Sequence, residues 1–278
     1  MKHLCYFAFL SMLLSCSWER RVETDEDEPV ALEDSLDEEA DSLFLYDEEV
    51  IPKTADELFD DFFFSFTTDK KFQQQRVVFP LPVVDGSQSA SVSQAEWKDF
   101  NRFVEQDFYS VIYERESDME LQKDTSVRSV SVEWFHLSEK YVERYNFRRS
   151  DEGTWLLTDV EKEETSQTPH ASFVEFYAQF SQDTLFQRES IDFPLHLVAE
   201  SQGEASDGGE MELSPDDWAE FREQMPLPEE VMTNIDYGQA ALSENRKILL
   251  VEGMSNSLYV KYKFDCTNGV WHLYEIEN

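Results

Sequence analysis

Residues 59 to 84 read FDDFFFSFTTDKKFQQQRVVFPLPVV, and residues 173 to 198 read FVEFYAQFSQDTLFQRESIDFPLHLV. At a constant offset of 114 the two stretches share ten identities, among them Phe59/Phe173, Phe62/Phe176, Asp69/Asp183, Gln73/Gln187 and the Phe-Pro-Leu runs at Phe79 and Phe193. The match resumes at Ser93/Ser214, Trp97/Trp218 and Phe100/Phe221. It closes with Tyr145/Tyr262, Phe147/Phe264, Gly153/Gly269 and Trp155/Trp271. Extra residues fall in the acidic, Gly-containing segment around Asp207-Gly208-Gly209-Glu210. Insertions confined to loops, with aromatics held in step, indicate two copies of one domain.

Each copy begins with an apolar helical face. Phe59, Phe62, Phe63 and Phe66 recur at spacings of three and four, as do Phe173, Phe176, Tyr177 and Phe180. Asp69 and Asp183 are placed to cap a short second helix carrying Phe72 or Phe186. Phe79-Pro80-Leu81 and its twin suit an edge strand, because Pro cannot donate to a central ladder. Ser93 with Glu96, and Ser214 followed by Pro215, mark the start of a third helix. The period then changes to two. Val130, Val132 and Trp134 alternate with polar partners, as do Tyr141, Glu143, Tyr145 and Phe147; Leu258, Val260, Tyr262 and Phe264 repeat the pattern. Turns at Gly153 and Gly269 lead into last strands with Trp155 and Trp271.

Helices first and long strands last predict an α+β fold: two tandem cone-shaped domains, residues 55–164 and 165–278, each with N-terminal helices packed on a strongly curved antiparallel sheet. Each is expected to be an independent compact module. This order of elements resembles the nuclear-transport-factor-2-like superfamily, and the tandem pair resembles bacterial lipoproteins of a domain family with no assigned function. The resemblance implies a cone that often holds a pocket, and it admits isomerases and dehydratases that move protons with Asp, His or Tyr.

Residues 1–16 read as a lipoprotein signal. Lys2 precedes the apolar run Leu4 to Leu14, too short for a permanent span of about 30 Å. Leu13-Leu14-Ser15-Cys16 resembles a lipobox, making Cys16 the lipidated residue; an ordinary secretory peptide is the plainer alternative. Cys5 leaves with the leader, so Cys266 stands alone in the mature chain as a small packed residue, without a disulfide partner. Residues 17–54 form an acidic tether with 14 acids and no base between Glu23 and Glu49. Its position after Cys16 resembles a surface-export signal, and Asp34-Ser35-Leu36 and Asp41-Ser42-Leu43 resemble short O-glycosylation sites; a plain linker is the alternative. The expected address is the cell envelope, with the membrane as partner through lipid on Cys16 and the outer membrane as anchor.

With 60 acidic against 23 basic residues in 278, a net charge of −37, the chain repels phosphate, so nucleic acid is not an expected partner. Its 22 Phe, 11 Tyr and 6 Trp are enough for substantial cores. Proton-transfer candidates on or beside the strands are His136, Tyr145, Asp192, His196, Tyr262 and His272, set against the simpler role of satisfying local hydrogen bonds. Polar positions kept in both copies are Asp69/Asp183, Gln73/Gln187 and Ser93/Ser214, which are mainly scaffold. No catalytic set is therefore assigned, and His136, Tyr145, His196 and Tyr262 are carried as ligand-pocket candidates. No cofactor or metal is expected: the histidines are dispersed, and the acidic loop from Glu200 to Asp217 lacks EF-hand spacing. Arg144 and Arg148, with Lys261 and Lys263, form a basic row in each copy, either a solvated face or a docking surface for an anion. A non-enzymatic module binding a small ligand or an envelope protein is expected, with a small-molecule isomerase or dehydratase and a structural spacer as the other readings.

Overall fold

The protein is described from a computed structural model covering residues 56–98, 102–103, 106–199, 209–239 and 245–278. The leader with Cys16, the acidic tether, Phe100 and residues 200–208 of the Glu200 loop lie outside the described residues. In the first half α1 (Phe59–Thr68) and α2 (Lys70–Gln75) precede β1 (Leu81–Asp85), β2 (Gln88–Val92), β3 (Phe108–Tyr113), β4 (Ser129–His136), β5 (Tyr141–Arg149) and β6 (Trp155–Glu164). The second half repeats the order with α3 (Ala171–Phe180), α4 (Thr184–Glu189), β7 (Ile191–Ala199), β8 (Gly209–Leu213), α5 (Pro215–Arg222), β9 (Val231–Asp236), β10 (Arg246–Gly253), β11 (Tyr259–Thr267) and β12 (Val270–Glu277).

Local signals act as the sequence predicts. Asp69 accepts from the N–H groups of Lys71 and Phe72, and Asp183 from those of Leu185 and Phe186, capping α2 and α4. Ser214 and Asp217 form a reciprocal capping box at α5, with Pro215 in its first turn. The phenylalanines of α1 and α3 then meet equivalent partners. Phe59 lies 5.4 Å from Phe147 and 5.1 Å from Trp155; Phe173 lies 5.2 Å from Phe264 and 5.3 Å from Trp271. Both interiors are thus lined by interlocking aromatic rings.

The architecture is α+β with two six-stranded sheets, ordered β2-β1-β6-β5-β4-β9 and β3-β10-β11-β12-β7-β8. All neighbours are antiparallel except β1 with β6 and β7 with β12. Equivalent bulges fall between Asn146 and Phe147 and between Lys263 and Phe264, bending β5 and β11 at the same place. The expected edge strands are not at the edges. β1 lies between β2 and β6, with Pro80 just before it, and Pro194 in β7 falls where neither neighbouring ladder pairs. The missing donor therefore costs no ladder bond.

Two independent modules are not what the chain forms. The third strand of each half crosses over: β3 pairs antiparallel with β10, and β9 with β4. Each sheet therefore takes five strands from one half and its last from the other. The exchanged edges also close on each other. Ser110 N–H donates to Thr233 Oγ1 at 2.6 Å, Ser110 Oγ donates to the Thr233 carbonyl at 2.6 Å, and Ile112 N–H donates to Asn234 Oδ1 at 2.8 Å. Side chains near this junction serve both interiors: Ile248 and Leu250 join the core of the first half, Leu249 and Val251 that of the second.

The junction also covers the basic rows. Lys261 and Lys263 are buried, Lys263 reaching Glu116, Glu275 and Glu277, while Arg144 pairs with Glu133 and Glu163. These three are neither a solvated face nor an open docking surface. Their acidic partners sit on neighbouring strands, apart from Glu116 just after β3, and hold them there. Arg148 alone of the row is exposed.

Candidate functional site

Period-two alternation sets the interior face of the first sheet in rows. Across β4, β5 and β6 one row is Val132, Tyr145 and Val160; the next, nearer the mouth, is Trp134, Glu143 and Lys162; His136 and Tyr141 come last. The deep row is apolar and the mouth rows are polar. Between them a cavity of about 240 Å³ opens, walled by Leu81, Val83, Val160 and Trp97 and floored by Arg102, Glu143, Tyr145 and Lys162. Trp97 is held there by its indole N–H, which donates to Gln73 Oε1 at 2.8 Å, while Gln73 Nε2 donates to the Phe66 carbonyl.

Glu143 organises the floor. It is buried and paired with both Arg102 and Lys162, and His136 Nε2 lies 3.5 Å from its Oε2. Burial alone raises a carboxyl pKa, but the approach of His136, the hydrogen bond from Lys162 and the charges of Arg102 and Lys162 outweigh it, taking Glu143 down to about 2. Lys162 is pushed up in return, because its bond to Glu143 overcomes its own burial. Arg102 Nη1 donates to Tyr145 Oη at 2.8 Å, and the His136 ring stacks on Tyr141 with centroids 4.3 Å apart. A carboxylate held this acidic is a poor proton acceptor near neutrality, so Glu143 stands in the floor as a fixed anion.

The four pocket candidates part company. Tyr145 lines this floor, while His136 stands outside the cavity against Glu143. Tyr262 occupies the position of Tyr145 in the second half, but its hydroxyl donates to the Pro226 carbonyl at 2.9 Å and the place of Glu143 is taken by Val260. His196 stands on the opposite face of its sheet, more than a third exposed and 3.9 Å from Glu210. Asp192 and His272 meet each other at 3.3 Å on β7 and β12, away from either interior. Sequence reasoning missed Arg102, Glu143 and Lys162. Glu143 carried a usable signal, an acid on the aromatic face of an alternating strand between Tyr141 and Tyr145.

Comparison with known proteins bears on the fold and the family. A profile described as a domain of unknown function, DUF4348, matches residues 37–278. Among solved structures the chain is similar to an NTF2-like protein from Bacteroides fragilis NCTC 9343, with a TM-score of 0.73 and 34% identity, covering 81% of this chain and 97% of that one. No curated protein matches. The α+β architecture is thus NTF2-like.

Proposed function

This chain belongs to the DUF4348 family, a domain family of unknown function, and on that premise we propose that it is a non-catalytic binding module, lipid-anchored through Cys16 to the cell envelope and made of two copies of one domain. Its ligand is a small molecule with an apolar body and a polar end. The observation that carries this reading is the asymmetry between the halves. The first keeps a cavity of about 240 Å³ over a floor of Arg102, Glu143 and Lys162; the second has Val260 at the position of Glu143. Neither the aromatic packing nor the helix caps, which the halves share, requires those charges. A site for a ligand does, because charges held in a partly dry cavity orient a polar group strongly.

The enzymatic reading has one observation behind it, the approach of His136 to Glu143. The ionised state of Glu143 and its two cationic partners argue against it.

Filling the cavity tests the proposal. The mature chain is purified from cells that also express Val83→Trp, and small molecules retained by each are compared by native mass spectrometry. The wild type is expected to carry a molecule that Val83→Trp lacks, with both forms folded; palmitate labelling of the full chain is expected to vanish in Cys16→Ala. Equal retention by both forms defeats the ligand reading, and unchanged labelling defeats the anchor.

A further inference from the structure

A second cleft, distinct from this cavity, lies where α1 of the first half meets the exchanged strands. About 200 Å³ in volume, room for roughly six or seven waters, it is lined by Asp60, Phe63, Tyr109, Tyr237, Glu252 and Met254 among others. We propose that this cleft binds a small protonated organic amine, held between the carboxylates of Asp60 and Glu252 and the rings of Phe63, Tyr109 and Tyr237.

Position-by-position comparison of the halves shows that the fold does not need these acids. Asp60 on α1 corresponds to Val174 on α3, at the same offset of 114 that relates the helices. Glu252 on β10 corresponds to Phe135 on β4, since each pairs with the same strands of its sheet: Glu252 with Tyr259 and Tyr109, Phe135 with Val142 and Met232. Both twins are wholly buried and apolar. One cleft thus holds two carboxylates where the related cleft holds Val and Phe.

Among the described residues no basic side chain neutralises them. Asp60 accepts a hydrogen bond from Tyr237 Oη, and Glu252 one from Gln122 Nε2 at 2.8 Å; among the described residues neither is ion-paired with a Lys, Arg or His. Burial pushes both carboxyls up, Asp60 to about 7, and the neighbouring charges of Glu252 and Asp61 add to the effect on Asp60. Beside them the Tyr113 hydroxyl is buried with no hydrogen-bond partner among the described residues, close enough to both carboxylates for their charge to push it up further after burial has done so. A cation of suitable size in the cleft offsets the repulsion between the acids. Aromatic walls favour an organic ammonium over a hydrated metal ion: ring faces attract a weakly hydrated cation, whereas Ca²⁺ needs six or more oxygen ligands.

Calorimetric titration of the purified mature chain with benzylamine, and with benzyl alcohol as its neutral counterpart, tests this. Saturable benzylamine binding is expected, with the alcohol at least about tenfold weaker, equivalent to about 1.4 kcal/mol. Asp60→Val, which installs the twin's residue, is expected to weaken benzylamine by tenfold or more, and Glu252→Gln to weaken it several-fold. Val83→Trp in the other cavity is expected to leave it unchanged, so failure of either site is separable. Equal affinity for alcohol and amine, no saturable benzylamine binding, full binding by a folded Asp60→Val, or displacement of benzylamine by Ca²⁺ each overturns the proposal. Should Asp60→Val not fold, the amine-to-alcohol comparison on the unaltered chain decides.

Discussion

Asp60 illustrates what a single side chain contributes against its own fold. Its carboxyl goes from an ordinary 3.8 up to about 7 because burial outweighs the hydrogen bond from Tyr237. Between those values the folded state retains a proton that the unfolded state has released, so stability declines as pH rises through the window, and the penalty is complete above about 7. Its size is at most roughly 4 kcal/mol. Asp60→Asn is therefore expected to raise Tm at pH 8 and to leave it nearly unchanged at pH 3.5; thermal melts by circular dichroism check it, and an equal shift at both pH values contradicts the cause given. At this scale the sequence was partly legible. Caps at Asp69, Asp183 and Ser214 could be seen because they act within three residues. Asp60 could not, because its two neighbours in the cleft, Tyr237 and Glu252, lie more than 170 residues away.

Strands explain where sequence reading succeeded and where it stopped. β5 and β11 face an interior on one side only, and their alternation was plain. β3 and β9 read FYSVIY and VMTNID and are buried along nearly their whole length, since both faces are covered at the junction. Without alternation there is no period to find, and nothing local says which sheet a strand will join. The junction also takes polar residues inside. Lys247 of β10 and Glu114, just after β3, form a buried ion pair at 2.6 Å that links the halves. Nearby, burial and the charge of Lys247 push the His170 pKa down to about 4. Lys247→Met is expected to cost about 3–5 kcal/mol in urea denaturation, because it removes the buried cation that faces Glu114, and adding Glu114→Leu is expected to restore most of the loss. If the double variant is no better than the single one, the pair is not what holds the junction.

The whole chain differs from two beads on a string. Repetition along the sequence matched the aromatic rings of the two halves, yet it pointed to two independent modules where β3 and β9 are exchanged, since a strand completes either sheet with the same side chains. Residues 55–164 expressed alone leave β4 without β9 and β3 without β10. They are expected to be unfolded, or to associate as dimers that exchange β3 between copies, as judged by light scattering and circular dichroism. A cooperatively folding monomer of that fragment speaks against the exchange.

The crossing of β9 into the first sheet has a consequence in time. A chain synthesised from its N-terminus presents the first half well before residue 231, so that half waits, its sheet lacking a border, until most of the polypeptide has been made. Contacts between residues so distant in sequence are slow to form, and until they do, the open flank of β4 is bare to any passing strand. Assembly of this protein is accordingly a single late event, in which both halves are finished together or not at all.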